Sequence, residues 1–185
     1  MKTLQSRWLA SGVLFAALSF SLVAAAKLSS TGSSSAGFRA SGPGGINIDG
    51  KTSDVRVTDD GTTVTITVGL AGIDTGMGLR DKHAKEALDT AQFPTAEFKV
   101  ARGDLKFPAA GGESSGDAKG KLKIHGQTKD VTFHYTANLA GDTLSVKGTA
   151  AKVNMNDFGI KTPSYLGVGV KPEVDVNVNF QAKDN

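Results

Sequence analysis

The three histidines, His83, His125 and His134, are the side chains best able to bind a metal or carry a proton near neutral pH. No two share a helix or strand spacing and no carboxylate accompanies them, so no metal site is expected. His134 falls on the polar side of an alternating segment and reads as solvated, while His125 abuts Gly126 in a turn and reads as structural. His83 lies on the apolar stripe of a helical segment, where a histidine is packed or hydrogen-bonded more often than metal-bound. Two short motifs also suggest chemistry. Gly112-Glu113-Ser114-Ser115-Gly116 matches the nucleophile-elbow pattern, which works only where a strand turns sharply into a helix. Here it lies in a glycine/serine segment, Ala109–Ala118, expected to be a mobile loop between two strands. Asp157-Phe158-Gly159 spells the magnesium-binding triplet of protein kinases, without the glycine-rich and catalytic loops that give it meaning. No two acids stand out as a glycosidase pair, and the absence of cysteine removes thiolate nucleophiles, thiolate metal sites and disulfides. No enzyme, cofactor or metal is expected.

The elements around these residues have a period of two. Val64, Ile66, Val68 and Leu70 alternate with threonines; Val131, Phe133, Tyr135, Ala137 and Leu139 alternate with polar residues; so do Val174, Val176, Val178, Phe180 and Ala182. Successive strand side chains point to opposite faces, so each segment has one dry and one wet face, as half-buried antiparallel strands do. Lys119, Lys121 and Lys123 mark such a wet face. Weaker strands are expected at 38–41, 45–48, 54–58, 95–102, 119–124 and 144–153. Asp59-Asp60-Gly61, His125-Gly126-Gln127 and Ala140-Gly141-Asp142 are turn signals between them. One segment breaks the pattern. Leu79–Leu88 places Leu79, His83, Ala84, Ala87 and Leu88 on a single helical stripe, opposite the pairs Asp81/Lys85 and Lys82/Glu86, with Asp74 or Thr75 as cap. This spacing points to a sandwich or a barrel with one short helix.

Met1–Ala26 reads as a cleaved secretory signal: Lys2 and Arg7 precede an apolar run from Trp8 to Val23, and Ala24-Ala25-Ala26 suits the peptidase. A transmembrane helix needs roughly 20 apolar residues, more than this run has. A periplasmic or secreted location follows. Lys27–Ala36 is expected to be a flexible Ser/Gly tether, and residues 37–185 the domain. Two of the 21 basic residues lie in the signal, leaving 19 against 18 acidic, so the high isoelectric point of 9.1 is no footprint of a nucleic-acid binder.

Several short motifs in order are more specific than any of these features alone. Ile73-Asp74-Thr75-Gly76 is followed by Leu79-Arg80-Asp81-Lys82-His83 and by Phe93-Pro94 before a strand. Gly120–Val131 then forms a strand-turn-strand, and Asp157-Phe158-Gly159-Ile160 follows. Together they resemble the YceI-like family of lipocalin-like, polyisoprenoid-binding proteins. The chain departs from the family where Phe38–Gly42 lacks a histidine and where Ala87-Leu88 replaces an aromatic pair. The resemblance implies an all-β fold, an extended eight-stranded antiparallel lipocalin-like barrel with one short helix, holding a long apolar lipid such as a polyisoprenoid. It leaves room for transient membrane-surface contact and a homodimer. An eight-stranded barrel is about the size at which the interior either fills or holds one ligand. The small residues Ala137, Gly148, Ala150 and Ala182 lean towards room inside; a packed structural or stress-response domain without a ligand is the rival. The expected apolar lining is Phe38, Ile66, Val68, Phe98, Val100, Leu122, Phe133, Tyr135, Val146, Phe158, Val176, Val178 and Phe180. Arg80 and His83 are the polar candidates at the entrance, with Arg80 alternatively an ion-pair partner of a nearby acid. Burying ~20 methylenes at about 0.8 kcal/mol each yields roughly 16 kcal/mol gross, against association costs of about 4–15 kcal/mol, so an apolar tail alone suffices to hold such a ligand.

Overall fold

A computed structural model describes residues 27–162, 164–165 and 168–184. The signal expected at 1–26 lies outside them. The strands are β1 (Leu28–Ser41), β2 (Asn47–Thr52), β3 (Val55–Asp59), β4 (Thr63–Gly69), β5 (Thr95–Ala101), β6 (Glu113–Ile124), β7 (Gln127–Ala140), β8 (Thr143–Asn154) and β11 (Glu173–Asp184). The two-residue strands β9 (Ser164–Tyr165) and β10 (Val168–Gly169) pair only with each other, and α1 (Gly78–Ala87) links β4 to β5. The sheet runs β11-β8-β7-β6-β5-β4-β3-β1-β2, and β1 also pairs with β11, which closes it. β2 and β3, separated by Ser53-Asp54, share one side of β1 and act as a single broken strand. The result is a closed eight-stranded antiparallel barrel with one helix.

The expected tether does not exist. Lys27 aside, it is the first part of β1, with Leu28–Thr31 and Ser35-Ala36 in register with β11. It lacks apolar alternation because its serines bond to the wall through their hydroxyls: Ser34 Oγ donates to the carbonyls of Ser53 (3.0 Å) and Val55 (3.3 Å), and Ser30 Oγ accepts from Val57 N. The glycine/serine segment is likewise half strand. Glu113–Ala118 opens β6 opposite Asn138–Phe133 of β7, so the nucleophile-elbow match lies largely in a ladder and not at an elbow. The strand expected at 45–48 sits slightly later, because Pro43–Gly45 forms a 3₁₀ turn first.

The turns follow local chemistry. At Asp59–Thr62, Asp60 Oδ1 accepts from Thr62 N (2.8 Å), Thr62 Oγ1 (2.7 Å) and Thr63 N (2.7 Å), which holds its carboxyl at a pKa of about 2. His125 and Gly126 both take positive φ (51° and 74°), the pattern of a two-residue hairpin turn. α1 is capped differently from the expectation. Met77 is its N-cap and offers no side-chain bond; instead Asp81 Oδ1 reaches back to Thr75 N (2.7 Å) and Thr75 Oγ1 (2.6 Å). Of the two expected helical pairs, Lys82–Glu86 forms at 3.8 Å, while Asp81 turns to Thr75.

Candidate ligand-binding site

The inward faces of the strands enclose a cavity of about 830 Å³. Its existence follows from pairing large residues with small ones around the barrel. In one belt, Tyr135 has Gly116 on one side and Gly148 on the other, and Gly148 is followed by Val178, Ala36 and Thr52. In the next, Val176 links Ala150 to Phe38, which faces Gly50. Aromatic rings lie over these glycines: a β-carbon at Gly50 would meet Phe38 Cζ at 2.6 Å, one at Gly120 Phe98 Cζ at 2.6 Å, and one at Gly116 the Tyr135 hydroxyl at 3.1 Å. A ring covering a glycine lies along the wall instead of spanning the interior. Among the described residues no large side chain reaches complete burial, as expected of walls that face a void and not a packed core.

Every residue of the expected lining reaches the cavity. Phe98, Val100, Leu122, Phe133, Tyr135, Phe158, Val178 and Phe180 are buried, and Phe38, Ile66, Val68, Val146 and Val176 are half-buried. Phe98 and Phe133 pack ring to ring at 4.8 Å with a 60° tilt. The small residues Ala137, Ala150 and Ala182 are buried, and Ala137 and Gly148 line the cavity. Sequence reasoning missed Leu70, Ile73 and Ala96, which form a second apolar cluster with Phe38, Val68, Ala84, Leu88 and Ile124 under the helix. Leu70 and Ala96 belonged to alternating segments, Ala96 in step with Phe98 and Val100; Ile73 lacked a periodic signal.

The ends of the barrel differ. At one end Asp59, with no exposed side-chain surface, forms an ion pair with Arg102 and accepts from Leu28 N (3.3 Å) and Gly61 N (2.8 Å). Arg102 also stacks over the Phe107 ring at 4.5 Å. The Tyr135 hydroxyl accepts from Lys106 N at 2.6 Å and pins the loop there, so its polar tip is satisfied.

At the other end β7 and β8 part. Their register runs only from His134↔Thr149 to Ala140↔Thr143, and the 3₁₀ turn Met155–Phe158 packs against β7 beyond it. Phe158 is 2% exposed, and its carbonyl lies 3.1 Å from His125 Nδ1. The Asp-Phe-Gly triplet is therefore a plug and a turn, with Gly159 at φ 70° closing it. α1 crosses this end. Ala84, Ala87 and Leu88 pack inward and are half-buried, but Leu79 is 59% exposed, so only the C-terminal part of the expected stripe meets the core. Arg80 and His83 are half-buried and line the cavity. Among the described residues Arg80 forms no ion pair, so the structural partner considered for it is absent, and neither side chain makes a hydrogen bond. His134 is exposed on the outer wall, 3.0 Å from Asp117 Oδ1. No cluster able to hold a metal occurs among the described residues.

A closed antiparallel barrel with a hollow apolar interior and a helix across one end defines a lipocalin-like barrel. The chain belongs to the YceI-like domain family, which matches residues 28–182. A UPF0312 protein of Pseudomonas savastanoi is 28% identical over 130 residues, 66% of this chain and 62% of the relative; one of Pseudomonas putida is 30% identical over 138 residues, 70% and 69%. The chain thus spans about 62% of the length of the first of these. Among solved structures, a polyisoprenoid binding domain from Saccharophagus degradans, implicated in plant cell wall breakdown, superposes with a TM-score of 0.71 at 14% identity, over 87% of this chain and 99% of that one. BcnA of Burkholderia cenocepacia superposes with a TM-score of 0.61 at 20% identity, over 80% and 96%. A Campylobacter jejuni YceI protein does so at 0.55 and 18%, over 76% and 86%.

Proposed function

We propose that the chain is an exported, non-enzymatic carrier that holds a long apolar isoprenoid-type lipid (a polyprenyl chain, a quinone or a similar amphipath) inside the barrel for storage or transport. The observation that carries this reading is the cavity of about 830 Å³, walled by aliphatic and aromatic side chains from every part of the barrel. A 150 Å³ apolar cavity accepts one benzene, so on that scale the void accommodates ~30 carbon atoms. Burial of such a chain supplies the affinity. Arg80 and His83, without partners of their own among the described residues, are the groups that would orient a polar head at the helix end. The family membership and the described activity of the Saccharophagus domain support an apolar ligand. The pattern of Met1–Ala26 supports export.

The test is to recover the protein from its own cell envelope, sequence its N-terminus and analyse it by native mass spectrometry with lipid extraction. The expected result is a chain beginning at Lys27 with one stoichiometric, chloroform-extractable lipid. An apo protein that also excludes an apolar fluorophore would overturn the carrier reading.

A further inference from the structure

The described residues include four large apolar side chains that are strongly exposed: Ile46 (50%), Met77 (50%), Leu79 (59%) and Phe107 (40%). Three of them gather at one end of the molecule. Ile46 ends the β1–β2 connection, directly before β2, Met77 is the N-cap of α1 and Leu79 lies in its first turn; all three border the cavity. α1 is anchored at its other end, where Ala84 and Leu88 pack against the Leu70, Ile73 and Ala96 cluster, so its first turn overhangs the rim. Exposed apolar residues that converge on a cavity mouth are a docking feature, since isolated ones would be scattered.

The charged groups bordering the cavity divide by sign. The two acids, Glu86 and Glu97, are each met by a lysine of their own element, Lys82 at 3.8 Å and Lys99 at 3.2 Å. The cations Lys51, Arg80 and Lys161 form no ion pair among the described residues. Lys106 borders the opposite end. The cavity mouth at the helix end therefore carries three exposed apolar side chains and three cations without ion pairs among the described residues, with Asp74 as an acid opposite Lys51. Apolar tips with basic neighbours complement the interface of a bilayer containing anionic phospholipid.

We propose that this rim docks the protein onto an anionic phospholipid bilayer. Ile46, Met77 and Leu79 enter the headgroup–acyl boundary, while Lys51, Arg80 and Lys161 meet phosphate groups. The inference rests on the carrier reading for its purpose: a water-insoluble ligand then passes between bilayer and cavity without crossing water. Docking through the mouth also places α1, the element across the exit, at the membrane.

The protein recovered from the cell envelope, and variants produced the same way, are sedimented with vesicles of phosphatidylcholine alone or mixed with phosphatidylglycerol, at low and high salt. Binding is expected to the mixed vesicles, to weaken as salt screens the cations, and to fall by about tenfold in both Met77→Asp/Leu79→Asp and Lys51→Glu/Lys161→Glu. These side chains are exposed, and circular dichroism verifies that each variant is folded. Absence of wild-type binding to mixed vesicles would overturn the proposal, as would wild-type binding that both folded variants retain, which would place the contact on another surface or a protein partner. Uptake of an apolar fluorophore by the wild type is measured separately. Vesicle binding with the expected variant losses but without dye uptake would strike the carrier reading while leaving the docking surface in place.

Discussion

The ring of Phe38 occupies the space that a side chain at Gly50 would need, directly across the β1–β2 ladder. Phe98 stands in the same relation to Gly120, and the Tyr135 ring and hydroxyl to Gly116. These pairings reconcile a wall rich in aromatic residues with an interior that stays open. A β-branched residue in place of the glycine would push the ring towards the lumen.

Substitution of Gly50 by alanine is therefore expected to destabilise the barrel by about 1–3 kcal/mol through overpacking. It should also narrow the cavity. Adding Phe38→Leu should return most of the loss, a coupling that urea unfolding of the single and double variants will read. Additive losses would show that the ring and the glycine are independent.

Val178 lies between Gly148 and Ala36, on the inner face. Val178→Asp puts a carboxylate into the apolar void without a partner, and a loss of about 3 kcal/mol is expected, with lipid retention abolished. Phe133→Asp should behave alike. Asn179, the outward neighbour of Val178, is exposed, so Asn179→Asp should stay within about 0.5 kcal/mol of the parent. Thermal unfolding and lipid mass spectrometry of the three variants provide the comparison.

Asp59 is buried against Arg102 and two backbone amides at the closed end. Removing the carboxylate leaves Arg102 and Leu28 N without their acceptor. Asp59→Ala should cost about 3–5 kcal/mol, the range for breaking a buried pair on one side. Exchange of the amides of β3 and of the first residues of β1 should accelerate first, measurable by hydrogen–deuterium exchange.

The carboxyl of Asp60 is held at about 2, below the ordinary 3.8, by the Thr62 hydroxyl first and then by the amides of Thr62 and Thr63. Asp81 is lowered in the same direction, chiefly by the Thr75 hydroxyl and then its amide. A depressed folded-state pKa contributes stability that is fully present above the unfolded value and is lost as pH falls through the folded one. For Asp60 the window is roughly pH 4 to 2. Asp60→Asn retains an acceptor but not the proton linkage, so its melting temperature should fall less steeply than the parent's across that window. NMR titration of the Asp60 carboxyl should give a midpoint near 2.

The inward side chains were legible because each dry face repeats every second residue, and Phe133, Tyr135, Val176, Val178 and Phe180 needed no more than that. The helix was legible by its change of period. Leu28–Ala36 was not, because its ladder partner lies about 150 residues away and its serines satisfy the wall through hydroxyls instead of burying apolar surface. Ile73 escaped for a related reason: its cluster joins a loop, four strands and the helix, and no local pattern encodes it.

The sequence by itself determined an antiparallel all-β domain, the faces of its strong strands, and the family its motifs resemble. Local alternation and turn chemistry are enough for that, since both act over a few residues. Closure of β1 onto β11, the placing of Phe38 over Gly50, and the choice between a filled core and a void were decided only by the tertiary structure. Alternation says which side chains point inward; the volume they leave depends on which residue faces which across ladders far apart in the chain.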